Sequence, residues 1–272
     1  MKKVLTTALI LGAFYGAANA AEITSPIYMP KKGEIINDLN LGKYNASNDK
    51  EGIFGLRLIE KGLNISDSGK IGLRDNLSLN YGFEFDFNRK INNAGNVVKI
   101  SEEFYDRYFG LTARAYDNEA NKLDIILNFG QIETPYVDLS ARYGLDLNNY
   151  NLAFSFGGIY YSADEVEGSY REQEKMQYYF ELDNELAFAD SFTFDLNLKY
   201  LKDRGMKWKY AFAGAGKNAG SDNYTIYAGL NYSLNKANYI GVYFENTWSH
   251  GQKEDILDST TYNFGIKLTS QF

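Results

Sequence analysis

The chain has 272 residues and a formal net charge of −7, with no Cys, a single His at position 250 and 3 Pro, against 23 Tyr and 18 Phe. An acidic balance of this kind argues against nucleic-acid partners. The missing Cys and lone His remove disulfides, thiolate metal sites and most His-dependent acid–base chemistry, and so many aromatics with so few prolines exclude a disordered chain.

Taken in chain order, Lys2 and Lys3 precede an apolar run over 4–14 and the small-residue site Ala18-Asn19-Ala20. This pattern predicts a secretory signal peptide over 1–20, cleaved before Ala21. The run is too short to span a bilayer as a helix, and no later stretch is long and apolar enough to do so.

From about residue 34 onward the dominant period is two, as in strands with one apolar and one polar face. The clearest case places Leu77, Leu79, Tyr81, Phe83, Phe85 and Phe87 on one face and Asn76, Ser78, Asn80, Gly82, Glu84, Asp86 and Asn88 on the other. Repetition of the pattern predicts twelve strands, at about 34–44, 53–66, 76–89, 103–116, 121–131, 137–147, 150–161, 174–188, 191–201, 222–234, 238–249 and 260–272. The second is the least regular, because its alternation blurs around Ile59-Glu60-Lys61-Gly62. Ten strands result without the irregular N-terminal pair, and fourteen if 21–33 or 53–75 add short ones.

The connectors alternate. Short links at 117–120, 148–149, 189–190 and 235–237 separate longer polar stretches at 90–102, 162–173, 202–221 and 250–259. That is the expected order for a barrel with short turns at one membrane face and long loops at the other. The link at 132–136 is a short exception on the long-loop side. Pro26, Pro30 and Pro135 all fall outside the expected strands, where no ladder N–H is required.

In the last segment Tyr262, Phe264, Ile266, Leu268 and Phe272 alternate with Thr261, Asn263, Gly265, Lys267, Thr269 and Gln271. This ending resembles the assembly signal of Gram-negative outer-membrane proteins, an alternating last strand closed by Phe. The resemblance implies recognition by the barrel assembly machinery and residence in the bacterial outer membrane. A soluble β-sandwich would share the period, but the signal peptide, aromatic load, alternating connectors and terminal Phe272 favour an all-β transmembrane antiparallel up-and-down barrel over 34–272. Residues 21–33 then form a periplasmic N-terminal segment.

If apolar faces meet outer-membrane lipid, polar faces line the interior, and acids outnumber bases there. The residues expected to line a pore and set its selectivity are Glu84, Asp86, Arg114, Asp124, Arg142, Glu181, Asp183, Asp195 and Glu245. Their excess of carboxylates predicts a water-filled channel passing small hydrophilic solutes, cations preferentially. The alternative is a lumen closed by side chains and ion pairs, in a barrel acting through its external loops.

Other motifs carry little. Gly214-Ala215-Gly216-Lys217 is followed by Asn218 rather than Ser or Thr, so 205–221 reads as a flexible external loop and not a phosphate-binding one. Ser249 and His250 are adjacent, and on a strand adjacent side chains point to opposite faces. Glu181, Asp183 and Glu185 stand about 7 Å apart in succession on one strand, a poor cage for Ca²⁺. The expectation is a protein with no enzymatic activity, no cofactor, no metal and no nucleic-acid partner.

Overall fold

The computed structural model describes residues 22–48, 58–93, 96–118, 120–132, 134–147, 149–162, 165–166, 170–189, 191–210, 214–217, 220–251 and 258–272. The expected signal peptide lies outside them. A short 3₁₀ turn at Glu22–Thr24 is followed by β1 (Ile35–Asn48), β2 (Leu58–Arg74), β3 (Leu77–Asn93), β4 (Asn96–Asp117), β5 (Asn121–Ile132), β6 (Thr134–Asp146) and β7 (Tyr150–Tyr161). Then come β8 (Glu165–Val166), β9 (Tyr170–Ala189), β10 (Phe192–Tyr210), β11 (Gly214–Lys217), β12 (Ser221–Asn235), β13 (Asn238–Gly251) and β14 (Ser259–Gln271).

Every pairing is antiparallel. Twelve strands form the wall, each bonded to its neighbours, and β14 pairs with β1 along Ile36↔Gln271 to Asn48↔Ser259, which closes the ring. The short strands β8 and β11 only extend hairpins on β9 and β10. Twelve strands spaced about 4.8 Å and tilted by about 40° give a backbone cylinder of radius about 12 Å.

The wall has inverted polarity. Phe109, Phe156 and Phe264 are 63%, 64% and 60% exposed, and they belong to an outer belt that includes Leu41, Phe83, Leu139, Phe180 and Val242. Ser78, Thr112, Ser155, Thr193 and Asn231 are buried on the inside. A soluble sandwich would hide the first set and expose the second. Apolar outside and polar inside is the arrangement that lipid requires.

Turn chemistry sets the tight end. Asn118 Oδ1 accepts the Ala120 and Asn121 N–H groups at 3.1 and 2.6 Å, and Asn235 Oδ1 accepts the Ala237 N–H at 2.9 Å. Each is an Asx turn joining two strands with few residues. By the rule that outer-membrane barrels turn tightly on the periplasmic side, this end is periplasmic, and β1 begins and β14 ends at it.

Several expected boundaries move. β2 runs to Arg74 rather than 66, so 67–75 is mostly strand and the β2–β3 turn is tight. The stretches 90–102 and 202–221, read as loops, are largely strand: β4 has 22 residues and β10 has 19. Lys207↔Lys217 to Tyr210↔Gly214 pair as a hairpin, which replaces the flexible loop expected at 205–221. At about 3.3 Å per residue and 40° tilt, 22 residues rise about 55 Å, twice the roughly 25 Å apolar band, so these hairpins stand above the bilayer. Pro135 is the second residue of β6, paired with Gln131, and not outside a strand. A strand's end tolerates Pro, and the Pro135 carbonyl still accepts the Ser162 N–H at 3.0 Å.

Candidate functional site

Inside the wall, tyrosines lie flat over cross-strand glycines. A Cβ on Gly82 would stand 2.2 Å from Tyr108 Cε1, and one on Gly157 would stand 2.5 Å from Tyr179 Cζ. Tyr44 covers Gly62 and Tyr136 covers Gly130 in the same way. Glycine lets each ring fold against the wall instead of projecting across the lumen.

The resulting space is a cavity of about 570 Å³. Its wall carries Glu84, Glu181, Asp183, Glu185, Asp195 and Glu245 with Tyr108, Tyr227 and Tyr243; Lys70, Arg142 and Lys267 are the cations among them. Tyr227 and Tyr243 stack at 5.6 Å between centroids.

The floor of this cavity comes from residues 22–33, which fold into the periplasmic end of the barrel. Ile23 and Ile27 are buried, and Ile23 packs with Ile36, Tyr239 and Tyr28 in an apolar cluster. Three wall cations grip three successive backbone carbonyls. Arg142 Nη1 donates to Pro26 O at 2.9 Å, Arg114 Nη2 to Ile27 O at 2.7 Å, and Lys70 Nζ to Tyr28 O at 3.3 Å. Thr24 Oγ1 donates to Glu185 across the other side. The segment thus touches β2, β4, β6, β9 and β13, and it spans the lumen.

The segment's exit is fixed as tightly. Gly33 takes a φ of +86°, open to glycine at no steric cost, and its N–H donates to Gly72 O at 2.8 Å. A Cβ on Gly72 would fall 1.9 Å from Lys31 O, so only glycine admits this crossing. Glu34 Oε2 accepts the Lys31 N–H at 2.8 Å and the Tyr28 hydroxyl at 2.9 Å. Burial raises the Glu34 carboxyl, but these hydrogen bonds outweigh it and hold the group below its ordinary range.

The structure divides the nine residues expected to line a pore. Glu84, Arg142, Glu181, Asp183, Asp195 and Glu245 surround the cavity. Arg114 and Asp124 pair instead with each other, Nε to Oδ1 at 2.5 Å, beside the N-terminal segment. Asp86 accepts the Tyr44 hydroxyl at 3.2 Å and is not part of the cavity wall. Other inward charges are matched, Lys267 with Asp38 at 3.6 Å, Lys199 with Glu181 at 3.9 Å and Lys175 with Asp203 at 2.7 Å.

Tyr262, Phe264, Ile266 and Leu268 point outward from β14, and Phe272 is 74% exposed at its end. The Phe272 N–H and C=O pair with Ile35 at 2.9 and 3.0 Å, so the last residue completes the β1–β14 seam. His250 sits near the loop end of β13, 69% exposed, with Nδ1 2.7 Å from Asp258 Oδ1. Sequence reasoning missed the floor, along with Lys70, Tyr108, Tyr227 and Tyr243.

A closed twelve-stranded antiparallel barrel with a lipid-facing apolar belt defines an outer-membrane β-barrel. Solved structures of that class share the fold. The COG4313 outer membrane channel from Pseudomonas putida F1 matches at TM-score 0.62 with 13% identity, over 90% of this chain and 97% of that chain. The translocator domain of the autotransporter NalP from Neisseria meningitidis matches at TM-score 0.53 with 8% identity, over 98% and 97%. No protein-family model and no curated protein matches the sequence. A channel and a translocator domain share this architecture, so function has to be argued from the lumen.

Proposed function

We propose that the chain is an outer-membrane channel for small hydrophilic solutes that prefers cations, and that residues 22–33 hold it in a closed state. The observation that carries this reading is the polar cavity whose carboxylates outnumber its cations and whose floor is a separate, non-strand segment. Carboxylates around a narrow aqueous path raise the local concentration of cations. A wall built of paired strands cannot open without breaking its ladder, whereas the floor is attached by a few side-chain contacts and one glycine turn. The reading includes export by the signal peptide over 1–20 and insertion by the barrel assembly machinery through the β14 ending.

The competing reading is a permanently closed barrel acting through its external hairpins. It is favoured by the same floor, since residues 22–33 cross the lumen. Reversal potentials under a salt gradient, measured on the refolded protein in a planar bilayer, separate the two. The channel reading expects cation-selective openings whose selectivity falls in Glu84→Gln and Glu245→Gln; the closed-barrel reading expects no openings from folded protein.

A further inference from the structure

The cavity above the N-terminal segment carries more carboxylates than cations on its wall. Asp183 is 6% exposed and Asp195 is 7% exposed, and both carboxylates stand on the cavity wall. Among the described residues Asp183 has neither a hydrogen bond nor an ion pair. Asp195 receives the Asn231 amide on Oδ2 at 2.8 Å, while its Oδ1 is buried without a partner.

A second pair of orphan acceptors lies on the β1 side of the same cavity. Asn64 Oδ1 and Asn263 Oδ1 are buried and unpartnered, and both reach over Gly42, where a Cβ would meet them at 2.3 and 2.4 Å. Their neighbours on the wall are Glu84 and Glu245, neither of which forms an ion pair among the described residues. The buried cavity-wall atoms that lack partners are therefore all acceptors. The three cations on the wall, Lys70 and Arg142, which also hold the N-terminal carbonyls, and Lys267, 3.6 Å from Asp38, are outnumbered by the carboxylates around them.

Buried acceptors without donors are costly, and unpaired buried carboxylates more so. A neutral polyol would supply donors but leave the like charges facing one another. Among the described residues no three Asp, Glu, His or Cys side chains are grouped so as to hold a metal ion. An alkylammonium head brings three N–H donors and a positive charge together. Its methylenes suit the faces of Tyr227 and Tyr243, and the wall already uses such a contact where Lys199 Nζ stands 4.9 Å from the Tyr179 ring centroid.

We propose that this cavity is a binding site for small organic ammonium ions, held by Asp183, Asp195, Glu84 and Glu245 and by the Asn64 and Asn263 amide oxygens. The proposal rests on the cation-channel reading and names the class of cation that the channel admits.

The test is calorimetric titration of the detergent-refolded barrel, full chain after Ala20, with 1,4-diaminobutane, with 1,4-butanediol and with CaCl₂. Single-channel recording of the same preparation runs alongside. Saturable binding of the diamine is expected, at least tenfold tighter than the diol or Ca²⁺, and weakened at least tenfold in Asp183→Asn and in Glu245→Gln. Two near-isosteric variants on different strands guard against the misfolding of one. No diamine binding by a barrel that conducts cations overturns the ammonium site and leaves the channel reading intact. Binding equal to that of the diol or of Ca²⁺ overturns it as well, and binding to a barrel that never conducts keeps the site while overturning the channel. Silence in both assays overturns both.

Discussion

Gly144 offers a charge-neutral way to displace the floor. It lies on the inner face of β6 against Ile27, and a Cβ added there would stand 2.1 Å from Ile27 Cγ2 and 3.1 Å from its Cβ. Carbon atoms pack at about 3.5–4.0 Å, so Gly144→Ala obliges Ile27 to retreat by about 1.5 Å. Retreat is resisted by the Arg114 bond to Ile27 O at 2.7 Å and by the Arg142 and Lys70 bonds to its neighbours. Overpacking of this kind costs about 1–3 kcal/mol. At a factor of ten per 1.4 kcal/mol, the displaced population rises by about 5- to 150-fold. Because the chain has no Cys, Ser25→Cys creates a unique thiol at a buried position of the segment. Its rate of reaction with a water-soluble maleimide should rise by that factor when Gly144→Ala is added. An unchanged rate in a barrel whose heat-modifiable gel mobility shows it folded would refute the claim that residues 22–33 pack against β6 as a displaceable floor.

Removing the clasp itself should act in the same direction. Each charge-assisted hydrogen bond contributes about 1.5–3 kcal/mol, so Arg142→Ala combined with Lys70→Ala should raise both Ser25→Cys labelling and bilayer current by more than Gly144→Ala does. Phe264→Arg, placed on the lipid-facing belt, should lower stability by about 2–4 kcal/mol in urea titrations of the barrel in vesicles. Asn263→Ser, one residue away but inward, should leave the same titration within about 0.5 kcal/mol of wild type if its side chain serves the lumen. Phe272→Ala keeps the backbone pair with Ile35 and removes only an exposed ring. Refolding in detergent should be unaffected while the assembled fraction in cells falls; equal loss in both would assign Phe272 to stability rather than to assembly.

The wall was legible because lipid on one side and water on the other impose a period of two. In β3, Leu77 to Phe87 alternate without error, and the expected inward set of Ser78, Asn80, Glu84 and Asp86 is the observed one. β2 was blurred for a physical reason. Its pairing with β3 shifts register between Lys61 and Leu63, and Gly62 lies under Tyr44, where a Cβ would stand 2.6 Å from ring carbon Cε1. Parity alone would have found Tyr227 and Tyr243, since both occupy the polar phase of strands whose other members were read correctly. The floor had no such signature. Residues 22–33 carry no period, and their partners Arg114 and Arg142 are distant in sequence and bind carbonyls, which every residue possesses. An inward guanidinium does not reveal, in the sequence, which group it will hold.

An acidic lumen closed by residues 22–33 should show itself in conductance. The refolded barrel beginning at Ala21 is compared in planar bilayers with a version lacking residues 22–32, under a salt gradient. Rare or small openings are expected from the first and steady, larger, cation-selective conductance from the second. Equal conductance from the two would contradict the floor, and an anion-selective reversal potential from the shortened barrel would contradict the acidic path.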